Sequence, residues 1–344
     1  MKVGIIRDDI YLEHITDDFH PENPRRLAGI YEMLDGIDQA GIRYVPARAA
    51  TYEELALNHE GGYIEMISRT KGRVQTRLDP DTVASARSYD AACVAAGGFL
   101  QLIDASMSGE IENGFALVRP PGHHAEHGKS MGFCIFNNIA IGARYLEKKY
   151  GLSRILIVDF DLHHGNGTQH SFYGDRTVLY VSTHQYPYYP GTGWYEEVGQ
   201  GQGKGYTVNI PLGYGMNDAD YLHVFKEVVV PVSRLFKPEI VLVSAGFDIH
   251  GSDPLGGMAV TERGFARMTR MLMDIAAEHC AGKVLMTLEG GYDITALTNS
   301  VRTVIMELRG MPVYVAEEGD DASAAARQVV SKVKGAIKPY WAGI

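Results

Sequence analysis

"RILIVDFDLHHGNGT", residues 154–168, reads as a strand that runs straight into chemistry. The apolar run before Asp159 has the pattern of a strand buried on both faces of a parallel sheet. Directly after it come Asp159, Asp161, His163 and His164, two acids and two imidazoles within six positions. Such groups are costly to bury unless something pairs with them. The cluster therefore marks a place where the chain is holding something.

Runs like this one recur at 2–6, 114–118, 154–160, 177–182, 206–210, 239–244 and 283–288. Between many of them lie helix-like segments at 81–105, 138–150, 218–236 and 261–280, the last with Thr261 placed as its N-cap. Strand alternating with helix at this spacing predicts an α/β fold: one open, mostly parallel β-sheet with helices on both faces. No repeat or linker divides the chain, so residues 1–319 read as one catalytic domain and 320–344 as a C-terminal helix and tail packed on it.

The 344 residues are 45% hydrophobic and 22% charged, the balance of an ordinary globular protein. A net charge of −10 argues against a nucleic-acid backbone as partner. No apolar run is long enough to cross a bilayer, and the opening MKVGIIRDD is too short an apolar stretch for a signal peptide. Three widely spaced cysteines (Cys93, Cys134, Cys280) fit a reduced cytoplasm better than a disulfide framework.

Ligands in open α/β sheets bind beyond the carboxyl ends of the strands. The unusual stretches all fall there: "RPPGHHA" (119–125), "DFDLHH" (159–164), "STHQYPYYPGTG" (182–193), "AGFDIHGSDPLGG" (245–257) and "EGGYD" (289–293). Asp161 and His163, one residue apart, point the same way in extended backbone and can chelate a divalent metal. Asp248 offers a third ligand, and three protein ligands leave an open position for water, the layout of a catalytic zinc site. His250, two residues on, competes as a ligand on spacing alone.

These motifs, with "HPENPRRL" (20–27) and "GFCIFNN" (132–138), resemble in sequence and order the zinc-dependent histone deacetylase family. That family also takes in bacterial acetylpolyamine amidohydrolases, and the asparagine of "HHGNGT" with "DPLGG" is most similar to its class II branch. The resemblance implies an arginase-like fold and assigns one Zn2+ per chain to Asp161, His163 and Asp248, leaving His250 outside. It pairs His123 with Asp159 and His124 with Asn166, and it makes the Tyr292 hydroxyl a donor to the substrate carbonyl.

The chemistry of those partners splits the roles. A buried carboxylate favours the imidazolium, so His123 is expected to be the cationic member. An asparagine carbonyl fixes a tautomer without supplying charge, so His124 is expected to be the neutral general base. Zinc lowers the pKa of bound water from about 15.7 to about 7, which makes amide hydrolysis feasible at neutral pH.

Gly132 and Phe133 opposite Tyr189 match the family's channel walls, where two aromatic faces sandwich a methylene chain. Leu255 stands where polyamine-selective relatives can carry a glutamate, which favours an acylated lysine over an acylated small amine. Asp79 or Asp81 is read either as meeting a peptide backbone or an amine, or as the cap of a helix starting near Val83. Arg26 matches an arginine of the acetate exit cavity; its plain alternative is a surface salt bridge. One or two structural K+ ions are implied, an inner one at Asp159, Asp161, His163 and Ser182 and an outer one at the carbonyls of Phe172, Asp175 and Val178. The long loops before residue 82 leave room for a homo-oligomer that closes the channel. Two other readings remain open: a two-manganese ureohydrolase, disfavoured by the missing second D-x-D, and an inactive binder of acyl-lysine.

Overall fold

A computed structural model of the chain describes residues 2–17, 19–314 and 321–344. Its seven apolar runs become strands β1 (Val3–Ile6), β5 (Asn113–Ala116), β6 (Ile155–Asp159), β7 (Val178–Gln185), β8 (Thr207–Leu212), β9 (Ile240–Ala245) and β10 (Val284–Leu288), and three short strands that no apolar run announced are β2 (Ile42–Tyr44), β3 (Gln75–Arg77) and β4 (Val83–Ser85). Eight of them form one sheet in the order β2-β1-β5-β10-β9-β6-β7-β8, every neighbouring pair parallel. β3 and β4 pair antiparallel as a separate ribbon. The continuous burial of β5 to β10 is what near-unbroken apolar runs require when helices cover both faces.

One covering layer holds helices Ser88–Met107 and Asn138–Tyr150, packed on each other. The other holds Arg25–Asp35, Ile294–Leu308 and Glu262–His279, continued by the 218–236 segment. That segment is helical throughout but widens at Phe225–Val229 into an i→i+5 turn. Helix Ala324–Ile337 packs beside β8, and the expected boundary between residues 319 and 320 lies outside the described residues.

Two expectations fail locally. The helix predicted from residue 81 starts at Ser88, because Asp79 accepts from the N–H groups of Asp81 and Thr82 and turns the chain into β4. Ser85 N–H then donates to Ser88 Oγ, which holds the approach extended. Thr261 does occupy the N-cap position, but its hydroxyl caps nothing. It donates to Asp218 Oδ2 at 2.6 Å and ties two helices together.

Candidate metal centre and active site

β5, β10, β9, β6 and β7 are five consecutive strands of the sheet, and their carboxyl ends carry the five motif loops. The strand order thus places residues 119–124, 289–293, 245–257, 159–164 and 186–193 around one crevice.

At its floor, Asp161, His163 and Asp248 bring one ligand atom each to within 4.8 Å of one another. His163 Nδ1 lies 3.2 Å from Asp161 Oδ1 and 3.0 Å from Asp248 Oδ2. A tetrahedron with bonds of about 2 Å has edges of about 3.3 Å, so these donors fit a single cation. Backbone donors aim the carboxylates. His163 N–H and Gly290 N–H reach the two oxygens of Asp161, and Leu162 N–H reaches Asp248 Oδ1. Gly290 is required here, since a Cβ would sit 2.3 Å from Asp248 Oδ2. Burial and the Asp161 charge push Asp248 up to about 7. Two buried carboxylates this close resist ionising together, a cost that a divalent cation between them removes.

His250 is not part of this group, correcting the alternative left open by spacing. The chain turns after Asp248, so His250 stacks against Phe265 and faces Glu262. His123, Cys134 and Glu289 also bring donor atoms together, but their capacity is already taken. Glu289 accepts from Gly122 N–H, His123 N–H and the Ser244 hydroxyl, and His123 Nδ1 faces Asp159.

The tandem histidines lie 4.1 Å apart between ring centres, their planes tilted by 44°. His123 Nδ1 lies 3.1 Å from Asp159 Oδ2, which Tyr180 also contacts at 3.0 Å. Burial alone would discharge His123, but the Asp161 and Asp159 carboxylates outweigh it and raise its pKa to about 10. His124 Nδ1 lies 2.8 Å from Asn166 Oδ1. Burial, reinforced by the neighbouring His123 and His163, holds His124 well below the ordinary histidine value.

Above them is a cavity of about 180 Å³ lined by Asp81, His124, Gly132, Phe133, His163, Tyr189, Leu255 and Tyr292. Its two aromatic walls come from far-apart loops. Gly132 has φ +57, and a Cβ there would lie 2.2 Å from His124 Cδ2, so only glycine lets this wall close on the His124 ring. Phe133 also has positive φ, a strained conformation for an aromatic residue that turns it toward the Tyr292 ring 6.0 Å away. Asp81, not Asp79, reaches the cavity; its carboxylate accepts from Gly132 N–H and Thr82 Oγ1. Neither residue caps a helix.

Arg26 is fully buried, which removes the surface salt bridge as its explanation. It donates to the carbonyls of Gly291 and Glu289 and to Glu22, and its guanidinium lies 5.0 Å from the Tyr292 ring. Asp159 and Ser182 are cross-strand neighbours on β6 and β7, and Ser182 Oγ contacts His184. Phe172, Asp175 and Val178 share the turn into β7, where Asp175 N–H donates to the Phe172 carbonyl.

Several residues of the site escaped sequence reasoning. Glu22 and Arg119 form a buried ion pair beneath Arg26. Asp253 accepts from the N–H groups of Tyr292, Asp293 and Leu255, and so braces the tyrosine against the cavity mouth. Tyr188 stacks on His163 and donates to the Leu255 carbonyl. The "PEN", "RPP", "SDP" and "YY" in which they lie were visible inside the motifs, but their main partners are remote in sequence.

The chain is similar to known proteins in sequence and in fold. The histone deacetylase domain family matches residues 20–308. A probable deacetylase of Archaeoglobus fulgidus is 39% identical, over 99% of this chain and 99% of that protein. The polyamine deacetylase HDAC10 of Danio rerio is 41% identical over 93% of this chain, which spans only 49% of that relative. The crystal structure of the HDA15 HD domain superposes with a TM-score of 0.92 at 38% identity, covering 99% of this chain and 95% of that one. With a family match over most of its length and a fold shared at that level, the chain belongs to the histone deacetylase family, a family of hydrolytic deacetylases.

Proposed function

We propose that this protein removes an acyl group, acetyl by preference, from the amine of a lysine-like side chain, using Zn2+ at Asp161, His163 and Asp248. The observation that carries this reading is the convergence of those three ligand atoms at the floor of a narrow cavity that also contains His124 and Tyr292. When bound, the metal supplies Lewis acidity toward the acyl carbonyl and toward water.

The remaining work falls to the chain. His124 Nε2 takes the proton from the attacking water and returns it to the leaving amine. The Tyr292 hydroxyl donates to the carbonyl oxygen as negative charge develops there. His123, kept cationic by its carboxylates, stabilises that charge without exchanging its proton. Phe133 and Tyr189 hold the methylene chain and exclude water, and the Asp81 carboxylate accepts from the substrate's backbone N–H at the entrance. Arg26 borders the path by which the freed acid leaves. K+ at Asp159, Asp161, His163 and Ser182, and at Phe172, Asp175 and Val178, would stiffen the loop that carries the ligands. Residues 1–319 would form the catalytic domain, with the terminal helix as its edge. Three free, buried cysteines accord with a reducing, cytoplasmic setting, and among the described residues no helix is long and apolar enough to cross a membrane.

The relative named a polyamine deacetylase supports a second reading, acylated polyamines. Leu255 at the cavity opposes it, because leucine offers no charge to a distal ammonium. Rates measured side by side on acetyl-lysine peptides, longer acyl-lysines and acetylated polyamines decide the matter. Acetyl-lysine peptide is expected to lead, and Leu255→Glu should move the ratio toward the polyamine by tenfold or more. A wild-type protein fastest on acetylpolyamine would overturn the lysine assignment.

A further inference from the structure

We propose that Glu126 is a positioning residue for His124: it locks the Asn166 amide in the one orientation that keeps the His124 proton on Nδ1 and leaves Nε2 bare toward the cavity. This rests on the reading of His124 as the base, and it concerns a residue outside the cavity.

The Asn166 amide is surrounded asymmetrically. Its Nδ2 lies 2.5 Å from Glu126 Oε1, 3.3 Å from Met131 Sδ and 3.4 Å from the His124 carbonyl. All three are acceptors, so this side must carry the NH2 group. A flipped amide would set its carbonyl against the Glu126 carboxylate, oxygen facing oxygen. Oδ1 is therefore left facing His124 Nδ1 at 2.8 Å, a contact that is favourable only if that nitrogen bears the hydrogen.

Of the three acceptors only Glu126 is charged and short, so it dominates the choice. Glu126 is itself anchored. Its two oxygens lie 2.9 and 3.0 Å from Nδ1 of the half-exposed His170, and its N–H donates to the Lys129 carbonyl. Burial would raise the Glu126 pKa, but His170 and Asn166 bring it below the ordinary value and keep it an acceptor. The other titratable groups acting on the pair are His127 near Glu126 and Glu197 near His170. A line of contacts, His124–Asn166–Glu126–His170, thus runs from the buried base to the surface.

The test is histidine 15N NMR of the zinc-loaded protein beside steady-state kinetics. In the wild type, His124 is expected as the Nδ1–H tautomer. Glu126→Ala should give a mixture of tautomers and a kcat at least tenfold lower, with KM changed less than twofold. Glu126→Gln keeps an acceptor oxygen for Asn166, so it should retain the Nδ1–H signal and a kcat within threefold. His170→Asn leaves the carboxylate in place and should retain the same signal. The proposal is overturned if wild-type His124 carries its proton on Nε2, a result that needs no variant to fold. It is equally overturned if Glu126→Ala keeps a single Nδ1–H tautomer and normal kcat, or if Glu126→Gln falls as far as alanine. Absence of wild-type turnover on every acylated amine would sink the deacylase reading but leave the tautomer measurement intact, so the two failures are distinguishable.

Discussion

The two halves of the tandem-histidine centre look into different parts of the molecule. His123 faces inward, to the Asp159 carboxylate at the end of β6, which also accepts from the buried Tyr180 of β7. His124 faces sideways, to the neutral Asn166 and, through it, to Glu126 and the half-exposed His170. The same side chain at adjacent positions is thereby driven to opposite charge states, one raised to about 10 and the other pressed below its ordinary value. Burial disfavours charge at both. What separates them is whether a carboxylate is in direct contact.

Removing the metal should have the largest effect, because it takes away the reaction that gives both histidines their roles. Chelation is expected to bring activity to background and one equivalent of zinc per chain to restore it, with Asp161→Ala and Asp248→Ala failing to rebind. Elemental analysis showing two metals per chain would point instead to a two-manganese centre.

His124→Ala comes next, with kcat down by roughly 10²–10⁴ for loss of a positioned acid–base group. Metal content should stay at one per chain; if the metal is lost with the ring, His124 is a structural support and the contrast disappears. Tyr292→Phe should lower kcat by about 10²–10³, the usual consequence of deleting an oxyanion donor. Near-full activity would remove Tyr292 from the mechanism.

His123→Ala is expected to cost less, on the order of tenfold, because it removes a stabilising charge rather than a proton carrier. Equal losses at the two histidines would erase the division of labour. The smallest effect is the pH profile. A depressed His124 stays neutral above its own pKa, so the acid limb of kcat/KM should lie below the ordinary 6.5. A raised His123 stays charged until about pH 10, so the alkaline limb should lie near there and move in His123→Ala.

Much of this centre could be read in the sequence. The apolar runs announced every strand but the short β2, β3 and β4, and every motif at a carboxyl end reached the crevice, with Asp161, His163 and Asp248 together as the resemblance implied. Other features resisted reading for identifiable reasons. Spacing gave His250 the same claim as a ligand, and only the turn after Asp248 sends it to Phe265. Arg26 matched an exit-cavity arginine with a surface salt bridge as its alternative, and only its burial against Glu22 and two carbonyls some 265 residues away removes the surface reading. Asp79 and Asp81 were indistinguishable until one was seen to bind its own backbone and the other to line the cavity.

From residue order alone came the fold class, the strand-end motifs and the chemical types at the site, because period and residue type are local properties. The tertiary structure decided adjacency. β10 and β9 insert between β5 and β6, which carries Tyr292 and Asp248 to the tandem histidines and the D-x-H. Neighbours in a parallel sheet are chosen by crossover helices and packing rather than by position along the chain. Glu126 owes its reach toward His124 to the same cause, since the asparagine between them arrives on a different strand-to-helix turn.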